Sequence, residues 1–127
     1  MELGETFLGT VIGKGSHLHI VLSNPTDTGC VVLVIIATYD GYQNDTCILY
    51  PSDGHPFITR PSYVAYDTAV LFPVASLEIM KQNKEITVKP PFSQDVLKRV
   101  LKGADHLSSR ITNACWLVLH DQDLVPH

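Results

Sequence analysis

Two imidazoles one residue apart, His17 and His19 in "GSHLHIVLSNP" (residues 15–25), are the side chains of this chain best suited to chemistry. Imidazole changes charge near neutral pH, so one ring can take a proton while another returns it. A third, His55, follows an Asp-Gly turn in "SDGHPFITRPS" (residues 52–62) and is placed to swing toward the same mouth. Three readings are open. The simplest is a pair of exposed histidines satisfied by water. The second is a metal site, since His-x-His on one strand with a distant histidine is an accepted zinc arrangement. The third is metal-free RNA cleavage: one imidazole removes the 2′-hydroxyl proton, another protonates the leaving oxygen, and Lys14 or Arg60 stabilises the charged phosphorane. No HExxH motif is present, and Asp40 and Asp53 are the only carboxylates offered to a metal. The expectation is therefore a site without metal or cofactor.

Other reactive types carry less. "GKGS" (residues 13–16) is too short for a phosphate-binding loop, which needs GxxxxGK[ST] before a helix, and a strand follows it here. Cys30, Cys47 and Cys115 are odd in number and never at CxxC spacing, so they read as buried free thiols. Trp116 reads as core or interface. Lys98, Arg99 and Lys102 read as the solvated face of a helix.

The elements that must position these groups are mostly short strands. Residues 6–12 form a first strand, and two glycines let the loop at 13–16 turn tightly. Residues 17–23 form a second strand, in which period-two alternation puts Leu18, Ile20 and Leu22 on the core face. His17, His19 and Val21 then share the opposite, more open face. "VVLVIIAT" (residues 31–38) is continuously apolar and β-branched, as a central strand is. Strands follow at 46–50 and 62–72, the latter bent near Asp67. Helical periodicity appears only later, at 74–83 and in "FSQDVLKRVLKGA" (residues 92–104). There Ser93 is the N-cap, Asp95 lies in the first turn and Gly103 marks the end. Residues 105–127 fit either an extra strand or half a helix.

With 127 residues, 45% of them hydrophobic, the chain fits one domain with a real core. No domain boundary is drawn within residues 1–127; the one domain is read as a barrel-like core at about 5–103 followed by a C-terminal extension at 104–127. A net charge of −4 opposes broad, sequence-blind DNA binding, which needs many phosphate contacts. No run approaches the ~18 apolar residues of a membrane helix. "MELGETFLGT" lacks the basic-then-apolar pattern of a signal peptide, so no membrane role and a cytoplasmic location are expected. The fold expected is mainly β with some α (β+α): a small, strongly bent sheet or open barrel with one or two C-terminal helices.

The order of features resembles the MazF/PemK-like toxin endoribonucleases, which are small SH3-like barrels. A glycine-bearing loop leads to "HLHIVLSNP", the central strand "VLVIIAT" ends in a hydroxyl, and "SYVAYDTAVLFPVASLE" precedes the closing helix. The likeness spans roughly residues 5–103. It implies cleavage of single-stranded RNA, a homodimer and an antitoxin protein as partner. It also implies that Thr38, at the end of the central strand, assists at the phosphate, and that Ser62, opening the S-x-V strand, helps bind substrate. Family members usually begin the second strand with Arg-Pro, where this chain has His17-Leu18. The site expected is accordingly His17, His19, Thr38 and His55 for catalysis, with Lys14, Arg60 and Ser62 for binding. The rival reading is a non-catalytic barrel module that binds a protein or a nucleic acid.

Overall fold

A computed structural model describes residues 1–43 and 46–126. The last residue of the expected extension, position 127, lies outside them. Six strands form one antiparallel sheet: β1 (Thr6–Gly9), β2 (His17–Val21), β3 (Cys30–Thr38), β4 (Ile48–Leu49), β5 (Ser62–Pro73) and β6 (Thr87–Lys89). Their spatial order is β4-β5-β3-β2-β1-β6, and the sheet curls into a half-barrel. Three helices accompany it: α1 (Val74–Gln82), α2 (Gln94–His106) and α3 (Asn113–Asp121). The expected class, a strongly bent sheet with helices, is what the chain forms. None of the described helices is long and apolar enough to cross a membrane.

Alternation along the strands sorts the core into two clusters, one on each face of the sheet. Leu18, Ile20 and Leu22 join Val32, Val34 and Ile36 under α2 and α3. Val21, Val31 and Leu33 join Phe7, Leu77 of α1 and Ile86 on the other side. Covering both faces is why β3 can be apolar without interruption. It also corrects one expectation. His19 does not share an open face with His17, because its face is the one closed by α1 and the residues before β6, and it is wholly buried.

The bend near Asp67 is real and has a mechanism. The β3–β5 register runs Leu33↔Val70 and then Ile35↔Ala65, so residues 66–69 bulge opposite Val34. The Thr68 hydroxyl holds the bulge by accepting from the Ile35 N–H (3.1 Å) and donating to the Ala65 carbonyl (2.6 Å). Within it Tyr66 turns into the core and donates to the Val100 carbonyl of α2 at 2.7 Å.

Gly103 corrects a second expectation. It does not end α2, which continues to His106. A Cβ built on it would lie 2.3 Å from the Tyr66 hydroxyl, so glycine is there to let the helix approach the sheet. The start of α2 is as expected: the Ser93 hydroxyl accepts from the Val96 N–H, and Asp95 lies in the first turn. The tail resolves as α3, which buries Cys115 and Leu119.

Candidate functional site

Three neighbouring strands bring the expected residues to one end of the sheet. Leu18 of β2 pairs with Ile36 of β3, and Thr38 of β3 pairs with Ser62 of β5. His17 therefore lies at the start of β2, one residue from the pair formed with Ile36. Gly13 and Gly15, both at positive φ, turn the loop that delivers it. The segment 56–62 closes over the top. Between them lies a cleft of about 620 Å³ lined by Ser16, His17, Thr38, Thr59, Arg60 and Ser62, with Leu18, Ile36, Pro56, Phe57 and Ile58 among its apolar walls.

Electrostatics set this cleft apart. Arg60 is the one formal charge among its lining residues, so the cleft is locally cationic in a chain of net charge −4. Among the described residues, neither the Arg60 guanidinium nor the Thr38 hydroxyl has a hydrogen-bond or ion-pair partner. The Ser62 hydroxyl is engaged: it donates to the Arg60 carbonyl at 3.0 Å and so fixes the backbone that presents Arg60. His17 Nε2 lies 2.8 Å from the Lys14 carbonyl. A carbonyl only accepts, so Nε2 bears the hydrogen and Nδ1 is left as the proton acceptor of a neutral ring. Lys14 thus serves through its backbone, and its side chain is not part of the lining.

The other two expected imidazoles lie elsewhere, each locked in one neutral tautomer. His19 Nδ1 donates to the His17 carbonyl (2.9 Å), while Nε2 accepts from the Ile12 N–H (3.2 Å). Its ring stacks on Phe7 at 4.7 Å and 11°. Burial holds its pKa below the ordinary histidine value. His55 is buried as well. Its Nδ1 accepts from the Phe57 N–H (3.1 Å), so Nε2 donates to the Thr6 hydroxyl (3.0 Å), which donates on to the Pro90 carbonyl (2.8 Å). Burial lowers its pKa too, with nearby Lys89 adding in the same direction. Both rings have their nitrogens committed, and neither lines the cleft. They act as structural ties: His19 between the loop and β2, His55 between the cleft segment and the far edge of the sheet.

A second cleft, of about 410 Å³, lies along α2 between Thr46, Cys47, Tyr50, Arg99, Lys102 and His106. Its chemistry is already spent internally. Arg99 grips Asp53 through two guanidinium nitrogens (2.6 and 3.1 Å) and also reaches the Ile48 carbonyl, so it is not simply solvated. That contact holds the Asp53 carboxyl below its usual range. Burial pushes the Cys47 thiol up, away from thiolate reactivity. Asp53 is thereby committed to an ion pair, and among the described residues no three His, Cys, Asp or Glu side chains group as metal ligands.

Sequence reasoning missed Ser16, Phe57 and Thr59 in the cleft and Thr6 beneath it. For Phe57 and Thr59 the available signal is "FITR", a short segment held between Pro56 and Pro61; Ser16 and Thr6 carry none. No protein-family model matches the chain, and no curated protein matches it either.

Proposed function

We propose that this cleft binds the phosphodiester backbone of single-stranded RNA and cleaves it without metal. The observation that supports this reading is the meeting of an uncompensated Arg60, an unengaged Thr38 hydroxyl and His17 in one cationic cleft. Arg60 neutralises the phosphate and gains strength as negative charge builds on the phosphorane. Thr38 donates a hydrogen bond to a phosphoryl oxygen. His17 Nδ1 takes the proton of the ribose 2′-hydroxyl as O2′ attacks phosphorus. The P–O5′ bond breaks, and the departing oxygen is protonated by water. The products are a 2′,3′-cyclic phosphate and a 5′-hydroxyl. His19 and His55 take no part in proton transfer; they hold the loop and the cleft segment in place. An antitoxin protein and a homodimer belong to the same reading, on the strength of the resemblance alone, and a cytoplasmic location is proposed with them.

A second reading has its own support. With two of three imidazoles locked, a single proton carrier remains, which suits a module that binds RNA without cutting it. One assay separates the two. Labelled single-stranded RNA is incubated with the protein in chelator, and products and retained complex are both measured. Cleavage to a cyclic phosphate, cut roughly 10²–10⁴-fold in His17→Ala by the loss of the acid–base group, supports the enzyme. RNA held intact, with affinity lost in Arg60→Ala, supports the module. RNA neither held nor cut by folded protein overturns both.

A further inference from the structure

Phe57 is the one phenyl ring among the residues lining the cleft, and it is 41% exposed. A single exposed apolar side chain is ordinary; what distinguishes this one is that it is held at the rim of a cleft. The chain fixes it there. Its N–H is tied to His55 Nδ1, the next residue, Ile58, is buried and bonds back to the His55 carbonyl, and Pro56 stiffens the preceding bond. The His55 ring in turn packs on Phe92 at 4.7 Å. The Lys89 Nζ sits over the Phe57 ring, 5.5 Å from its centroid. The ammonium takes one face of the ring by cation–π attraction and adds a second positive charge beside the cleft. Phe57 is three residues from Arg60 in the same wall, the arrangement of a flat surface beside a phosphate-binding cation.

We propose that Phe57 is a platform on which an unpaired base stacks while Arg60 holds the adjoining phosphate. This rests on the RNA reading above and narrows it to single strands, because a base inside a duplex offers no free face. Stacking uses the π-face that every base has, so the platform tolerates any base and sets strandedness, not sequence.

The test uses short oligonucleotides with 2′-O-methyl riboses, which cannot be cleaved, and the same backbone made abasic. Affinities are measured by fluorescence anisotropy for wild type, Phe57→Ala and Arg60→Ala. Phe57→Ala should weaken the base-bearing strand roughly 5- to 150-fold, the range found when stacking aromatics are cut to alanine. It should leave the abasic strand unchanged, whereas Arg60→Ala should weaken both. Trp116 is the chain's one tryptophan. In a Trp116→Phe background, Phe57→Trp should therefore report directly, its emission quenched by the base-bearing strand and not by the abasic one. If Phe57→Ala weakens both strands alike or neither, while Arg60→Ala weakens both, the platform is wrong and the RNA site stands. If folded wild type binds neither strand, the site and the platform fall together.

Discussion

Replacing Gly103 by alanine sets two effects of opposite sign against each other. In an ordinary helix interior the change stabilises by about 1 kcal/mol, because alanine loses less backbone entropy than glycine. At this position the new Cβ meets the Tyr66 hydroxyl at 2.3 Å and its Cζ at 3.2 Å, with the Cβ of Cys47 at 3.3 Å behind. Tyr66 is buried and tethered to Val100, so it cannot swing into solvent. Either the ring moves and its buried hydroxyl loses a partner, costing about 1–3 kcal/mol, or α2 lifts and overpacks, costing about 1–3 kcal/mol. The net expectation is a loss of up to about 2 kcal/mol, or up to roughly 10 °C in Tm for a domain of this size. Urea and thermal unfolding measure it. Tyr66→Phe supplies the control, since it removes the atom that the Cβ strikes. Gly103→Ala in that background should be neutral or stabilise by up to about 1 kcal/mol, giving a coupling of up to about 3 kcal/mol. A variant more stable than wild type would refute the close approach of helix and sheet.

Stability should fall in mild acid. His19 and His55 are held below the ordinary imidazole range by burial, so below about pH 6.5 the unfolded chain takes up protons that the folded chain refuses. Their contribution is complete above that value and is lost as pH drops toward the folded values; Tm at pH 7.5 and pH 5 measures it, and a His19→Gln, His55→Gln double variant should show a flatter profile. Asp53→Asn should cost about 1 kcal/mol by denaturant unfolding, because Arg99 is still 44% exposed and the amide oxygen can still accept from the Tyr50 N–H.

Local pattern decided what could be read from the sequence. Alternation placed Leu18, Ile20 and Leu22 correctly, and an unbroken apolar run marked β3 as central, because each depends only on side-chain period. His17, Thr38, Arg60 and Ser62 were drawn to one place by the order of the strands. His19 and His55 were misjudged because the groups that enclose them, Phe7 and Ile12 for one and Thr6 and Pro90 for the other, lie beyond any local window. Gly103 was misread for the same reason: its constraint is Tyr66, in the bulge of a distant strand. β6 was not anticipated, since three residues with two of them exposed show little period.

The hydroxyl of Thr6 has a consequence in time. It joins position 6, through His55, to Pro90, so it ties together points from the beginning, middle and later part of the chain. A chain emerging from the ribosome makes contacts in the order in which its residues appear, and contacts across long separations come late. The tie beneath the cleft cannot exist until residue 90 has emerged and the N-terminal strand has found its partner at the sheet's edge. Until then the segment bearing Phe57 and Arg60 is held only through β4, β5 and the buried Ile58. The cleft is thus finished only when most of the molecule has been synthesised, and any fraying of β1 from β6 in the mature protein loosens the cleft wall from the opposite edge of the sheet.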